Sequence, residues 1–553
     1  MTHIALILAG IRPLICDEIS IKTAICFNLI LCLTLFILLI IRKRIGIKPR
    51  IFILSFSLAF LLFFTQFFSI NIYNSQMYLL KLCLYGAIFV FILMLEEKDV
   101  RFLLLAIIGI EALISMRGIY QYFIGIPYIA DNFSRAEITS NGFYALELLR
   151  QKRVVSYFLS PNLLASYLIM LCPVVGGYIV RCIRKKAIKP LIIFTCILLL
   201  LCTALLLTKT IGAYLSLTLA VLFFIMAMFG KNRIKVNIKI LILVFLVFIL
   251  FSSMFLPRAN HFLNLKHPQN SIIQRLYYWK SSISMIKEHF WFGVGAGNFG
   301  IAYPKYKNVN ANEAAYAHNS YLQIWAESGI FTLIFFIIFI GYIFKKILLQ
   351  KNDPVTLGLL TGSFAFLVHN LIDYSFFIPQ VAFMWWVITA CALNLSKASG
   401  IDIVSKEEQK DDRILGLVYG GMILILFCNN FIAYKTVSKL EQAKRFYDSQ
   451  KYTEAISSVN ESVVFSSQND FAYYFLAHIY RRKEGNKFSH LAVDNYKTAI
   501  SLNPHYAFYY YELGEYFMRH GKFKQAQSFF KQALKFYPTN NTFLSRLEDI
   551  SST

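Results

Sequence analysis

Long apolar runs alternate with short basic turns up to about residue 434, after which the chain turns polar and tyrosine-rich. A helix needs about 20 apolar residues to cross the hydrocarbon of a bilayer. Runs at 22–41, 51–70, 77–95, 101–124, 154–180, 190–208, 210–229, 240–256, 322–344, 355–370, 377–395 and 414–433 therefore predict about twelve spanning helices. Between the sixth and seventh only Thr208, Lys209 and Thr210 interrupt the apolar run. A further stretch, Ile4–Cys16, lacks a basic leader and is too short to span, so no cleaved signal peptide is read there. A short thirteenth helix at 4–16 would move the N-terminus to the other side.

Composition agrees with the pattern. Of 553 residues, 57% are hydrophobic and 15% charged, too apolar for a water-soluble domain. The net charge of +25 would suggest nucleic acid in a soluble protein. Here the basic residues cluster in short loops, where they set orientation rather than bind nucleic acid. The loops 42–50 (RKRIGIKPR), 181–189 (RCIRKKAIK) and 231–239 (KNRIKVNIK), and Lys345, Lys346 and Lys351, all fall on one side when twelve helices are threaded in order. That side is read as cytoplasmic, placing 125–153, 257–321 and everything after 433 outside. The ten cysteines are scattered without a CxxC pair, which argues against a disulfide framework or a zinc site.

Residues 435–553 repeat. Ala492, Tyr496, Ala499 and Pro504 recur 34 residues on as Ala526, Phe530, Ala533 and Pro538, and Ala443 recurs as Ala477. Small residues where paired helices touch, at a 34-residue period, form the tetratricopeptide pattern, with a three-residue insertion near Glu484–Lys487. Such repeats stack into an α-solenoid that can hold a protein partner. The chain is thus read as all-α: a polytopic membrane bundle over 1–434, with a large outer loop at 257–321, and an extracytoplasmic repeat domain over 435–553. A cut after 434 is expected to leave the chemical step intact.

The outer loop carries Arg258, Lys266, Arg275, Lys280, Lys287, Lys305 and Lys307 against only Glu288 and Glu313, a charge that suits an anionic substrate near the membrane surface. Its glycine-rich GVGAGNFG (Gly293–Gly300) follows no strand, so it is read as a place where backbone turns sharply or approaches something closely, not as a nucleotide site.

The stretch from Arg275 through Trp279, Phe292-Gly293-Val294-Gly295, Gly297-Asn298-Phe299, Ala317-His318-Asn319-Ser320-Tyr321-Leu322 and Ala326-Glu327-Ser328-Gly329 resembles the signature of the O-antigen ligase and O-antigen polymerase family. Arg153 with Ser160-Pro161-Asn162, and His369-Asn370-Leu371-Ile372-Asp373, resemble two further family segments. Thr208-Lys209-Thr210-Ile211-Gly212-Ala213 is similar to another that often reads T-x-S-R-G-A. Ile211 holds the arginine's place, so Lys209 substitutes or the contact is absent. The resemblance covers about residues 100–395.

It implies a GT-C-like fold in a bacterial inner membrane and an inverting transfer on the outer face. The donor would be a glycan on a polyprenyl pyrophosphate, and the acceptor a hydroxyl of a glycan, lipid or protein. Catalytic roles fall on His318 as base and on Arg275 and Arg153 as pyrophosphate contacts. Substrate contacts fall on Asn319, Tyr321, Lys209, Trp279, His369 and Asp373. No cofactor is expected and no metal, since arginines can meet the leaving charge. Asp17 and Glu18 are the acids that would serve a metal-dependent variant. The alternatives are a repeat-unit polymerase of the same family and, from another class, a transporter or non-catalytic scaffold with a partner-binding tail.

Overall fold

In the computed structural model, residues 2–17, 19–42, 57, 60–132, 151–232, 270–350, 353–398, 411–485 and 489–551 are described, and among them there is no strand. The expected span at 240–256, the basic loops 43–50 and 233–239, and Glu18 lie outside these residues, as does most of the expected span at 51–70 before residue 60.

The membrane part comprises α1 (Thr2–Ile11), α2 (Ile21–Arg42), α3 (Ile72–Leu93), α4 (Glu97–Tyr120), α5 (Pro161–Arg184), α6 (Ile188–Thr208) and α7 (Ile211–Asn232). Two helices of the long loop, α8 (Ser271–Glu288) and α9 (Phe299–Tyr306), follow. Then come α10 (Ser320–Leu348), α11 (Pro354–His369), α12 (Pro379–Ala398) and the start of α13 (Asp411–Asp448). By length and composition, 7 described helices could cross a membrane, and Thr2–Leu14, Ile211–Met226 and Pro354–His369 are shorter apolar helices.

Several boundaries differ from the hydropathy reading for local reasons. α5 begins at Pro161 rather than near 154, because Ser160 caps it and proline suits the first turn. α6 and α7 separate at Lys209, whose φ of 52° ends the helix in the left-handed region. α10 kinks at Gly329.

The two ends of the bundle are distinct. At one, Arg101 and Arg181 converge on Asp353 at 3.0 and 3.4 Å, next to the basic 181–189 turn. α1 runs parallel to α4, with His3 against Phe102 and Gly10 against Ile107 and Ile110, so Thr2 starts at this basic end. Every candidate site residue lies at the opposite end.

α13 runs unbroken for 38 residues across position 434, from the apolar bundle into the first repeat. Its Ala443 packs with Ala455, Val459 and Leu476. The remaining repeat helices are α14 (Tyr452–Phe465), α15 (Asp470–Glu484), α16 (His490–Leu502), α17 (Ala507–Arg519), α18 (Phe523–Phe536) and α19 (Asn541–Ser551). The periodic alanines Ala443, Ala477, Ala492, Ala499, Ala526 and Ala533 are all fully buried, where a larger side chain would hold the paired helices apart.

Candidate functional site

The site is built around the first turn of α10. Asn319 caps that helix, its side-chain oxygen accepting from Tyr321 N at 3.0 Å and Leu322 N at 3.1 Å. The residue before it, His318, sits at φ 52°, a left-handed conformation uncommon outside glycine. Its carbonyl accepts from Trp279 Nε1 at 3.3 Å. Its imidazole stacks on Tyr278 with centroids 5.2 Å apart and meets Tyr374 edge-on at 4.6 Å. Nδ1 is buried without a hydrogen-bond partner among the described residues.

Two charges reach this ring. Burial dominates and pushes the imidazole down to about 4; Asp373 opposes the shift and the Arg275 guanidinium adds to it. The ring is therefore neutral at ordinary pH. Arg275, half-buried on α8, has no ion-pair or hydrogen-bond partner among the described residues.

Asp373 is buried and heavily hydrogen-bonded. Its Oδ2 lies 3.0 Å from His369 Nε2 and accepts from Ser375 Oγ at 2.9 Å, while Oδ1 accepts from Tyr374 N at 2.8 Å. Burial opposes its ionisation, but the contact with His369 and the Tyr374 N–H outweigh burial and hold the carboxyl below its usual range. Ser320 ties α10 to the same turn, donating to Asn370 Oδ1 at 2.7 Å and to Asp373 O at 3.2 Å. Tyr321 points its hydroxyl at Leu367 O, 2.9 Å away on α11. In this state, then, Asn319 and Tyr321 are occupied by the protein itself.

Arg153 and Lys209 belong to a second knot across α5. Arg153 Nε donates to Thr208 O at 2.9 Å, and its Nη2 donates to Asn162 Oδ1 at 3.0 Å and Thr210 Oγ1 at 3.2 Å. Lys209 Nζ donates to Gln151 O at 2.8 Å and lies 5.9 Å from the Tyr122 ring centre. The knots meet through Ser166, one turn along α5, which donates to Asn162 O at 2.9 Å and contacts Asp373 Oδ2 at 3.4 Å. Gly212 packs on His369, where an added Cβ would come within 3.3 Å of the imidazole.

The glycine-rich segment is a backbone contact. Val294 N and Gly295 N donate to Ala326 O and Glu327 O at 2.9 and 2.8 Å, and Ile330 N donates to Phe290 O at 3.1 Å. Glu327, fully enclosed, accepts from Gly297 N at 2.8 Å and from Phe299 N at 3.1 Å. The two segments can approach this closely only because Gly293 and Gly329, both at positive φ, have no Cβ.

Among the described residues no three His, Cys, Asp or Glu side chains gather as a metal site. Asp17 is engaged by Arg12, whose Nη2 donates to it at 2.5 Å.

Sequence reading missed Tyr278, Tyr374, Asn370 and Ser166 as site residues. Asn370 lay within a quoted motif, but nothing local marks the pairing of Ser320 with Asn370 50 positions away.

These features define an all-helical membrane protein with a cationic, aromatic polar centre at one end of its bundle and a helical-repeat tail. Residues 196–337 match the family model described as O-antigen ligase, and residues 507–540 match the tetratricopeptide repeat model. The first match spans Lys209, Arg275, Trp279, His318, Asn319 and Tyr321; Arg153, His369 and Asp373 fall outside it. The chain is 29% identical over 117 residues, 21% of its length, to human tetratricopeptide repeat protein 6 (Homo sapiens), and spans 20% of that protein. A solved structure, the first tetratricopeptide domain of Spaghetti bound to an HSP90 peptide, aligns at 22% identity over 21% of this chain and 91% of its own, with a TM-score of 0.20.

Proposed function

We propose that the chain transfers a glycan from a polyprenyl-pyrophosphate carrier to an acceptor hydroxyl, on the outer face of a bacterial inner membrane. The observation that carries this reading is that the helix bearing Arg275 packs on His318, Tyr278 stacking on its ring at 5.2 Å and Trp279 bonding its carbonyl at 3.3 Å, inside the stretch that matches O-antigen ligases. The acceptor oxygen attacks the anomeric carbon as the bond from that carbon to the pyrophosphate oxygen breaks. The hydroxyl proton passes to an imidazole nitrogen of His318, and the bonding pair leaves with the pyrophosphate. Neutral histidine can take that proton, and the nearby Asp373 carboxylate favours the imidazolium that results. Arg275, without a protein counter-charge among the described residues, stabilises the departing anion.

Arg153 supports the centre from behind, holding Asn162, Thr208 and Thr210 together at the mouth of α5 and α6. Asn319 and Tyr321 shape the first turn of α10. Cationic side chains supply the charge that a divalent ion would otherwise supply, so transfer is expected to persist in EDTA. The repeats offer a surface for a protein partner or a protein acceptor.

The test is transfer by purified, membrane-reconstituted protein from a defined polyprenyl-pyrophosphate glycan to lipid, glycan and protein acceptors. A product on a non-donor acceptor supports ligation, and chain growth on the carrier identifies a polymerase. No carrier cleavage with any acceptor would sink the reading. Sidedness is read separately: cysteines placed at Lys186 and Asn312 in a cysteine-free background should label on opposite faces, with 312 reached from outside.

A further inference from the structure

A hydrogen-bonded path runs from the repeats to His318. It begins at Asp470, the first residue of α15, which is only 7% exposed. Within the repeats its Oδ2 accepts from Asn503 Nδ2 at 2.9 Å and Tyr509 OH at 2.8 Å. Its Oδ1 accepts from Asn71 Nδ2 at 3.2 Å, and Asn71 is the N-cap of α3 in the membrane bundle. One buried carboxylate thus bonds across the seam between the two parts of the chain.

The path continues through the glycine-rich segment. Asn71 O accepts from Asn298 Nδ2 at 3.2 Å, and the same amide donates to Ser69 and Ser75. The residues flanking Asn298 donate their N–H groups to Glu327. Glu327 Oε1 accepts from Gln323 Nε2 at 3.1 Å, and Gln323 Oε1 accepts from Ala317 N at 3.0 Å. Ala317 fixes the backbone that enters His318 at its left-handed turn. Each member is buried or nearly so, and a buried polar group that loses its partner pays a desolvation penalty, so a break at one link disturbs the next.

We propose that Asp470 is a positioning residue for the transfer centre: through Asn71, Asn298 and Glu327 the repeats set the loop that presents His318. The proposal rests on the reading of His318 as the proton acceptor. It also assigns the repeats a part in the chemical step, which the sequence alone suggested would survive their removal.

The seam permits a role-swap test on the full chain in lipid nanodiscs. Asn71→Asp keeps an oxygen to cap α3, and a negative charge suits a helix N-terminus, but it sets a second carboxylate against Asp470. Asp470→Asn restores a donor–acceptor pair with the roles exchanged. Two readouts are taken: turnover with donor KM, and the rate at which diethyl pyrocarbonate acylates His318, followed by mass spectrometry. The expected result is that Asn71→Asp lowers turnover and changes His318 acylation, each by about 2- to 100-fold, the range of contacting residues, with donor KM little moved. Adding Asp470→Asn should return both readouts to within about 2-fold of wild type. Glu461→Ala, on an exposed repeat pair with Lys439, should leave both unchanged.

Independent, multiplying effects of the two substitutions would overturn the proposal, as would a fall in turnover with His318 acylation unmoved. If wild type itself transfers nothing, the functional reading fails, while the acylation readout still decides whether the seam reaches His318.

Discussion

The imidazole of His318 lies face to face with the phenol of Tyr278, 5.2 Å between centroids, and this stacking removes the ring from water on one side. Desolvation disfavours the imidazolium and holds the group at about 4. Its folded value is thus below the unfolded one of about 6.5, so the folded protein binds fewer protons between those values. The stability this residue contributes is present above about pH 6.5 and declines as pH falls toward 4. For activity, the acid limb of kcat/KM due to His318 should lie well below pH 6.5. A limb centred near 6.5 that vanishes in His318→Gln would contradict the burial account. His318→Ala should lose roughly 10²–10⁴ in turnover with donor binding retained.

Arg275 is assigned the leaving charge. Arg275→Lys keeps the charge but loses the planar fork, so turnover should fall, and Arg275→Ala should fall further. Lipid-pyrophosphate binding and turnover measured on both variants check this. Normal values for both in Arg275→Ala would remove the clamp.

Gly329→Ala should fail structurally rather than chemically. An added Cβ would lie 1.9 Å from Trp291 O, at a φ of 77° that already disfavours a side chain. The glycine segment and α10 would have to part. The variant should show reduced folded yield in detergent by fluorescence size exclusion and a lower Tm. Gly341→Ala, with nothing within 4 Å of its Cβ, is the control.

A truncation after residue 434 cuts inside α13 rather than between domains. It also removes Asp470, the partner of Asn71, and Tyr537, which contacts Lys307 at 3.1 Å. We expect such a protein to insert but to lose turnover and gain protease sensitivity around 293–318. Limited proteolysis in nanodiscs, with full-length protein alongside, reads this out; an unchanged cleavage map with full donor cleavage would show the repeats to be separable.

Much of this architecture was legible because it rests on periodicity. The 34-residue spacing of Ala492 and Ala526 reflects two helices that can touch only through small side chains, and that constraint is local. The break at Lys209 was visible as a gap in an apolar run. What stayed hidden was pairing at long range. Asn71 with Asp470 joins positions 399 apart, and neither residue carries any local sign of the other. The sequence suggested a charge contact for Arg153 but not its bonds to Thr208 and Asn162, because the same guanidinium serves either use.

The unbroken α13 gives the repeats a fixed address. At 1.5 Å per residue its 38 residues form a rod about 57 Å long, rooted in lipid at one end and forming a wall of the solenoid at the other. A domain on a flexible tether would sweep a wide volume and meet many partners weakly. A domain on a stiff helix that also docks against the bundle, Asp470 on Asn71 and Tyr537 on Lys307, keeps one pose. Any molecule the repeats held would meet the bundle from one direction, so its size and shape would be screened before its chemistry.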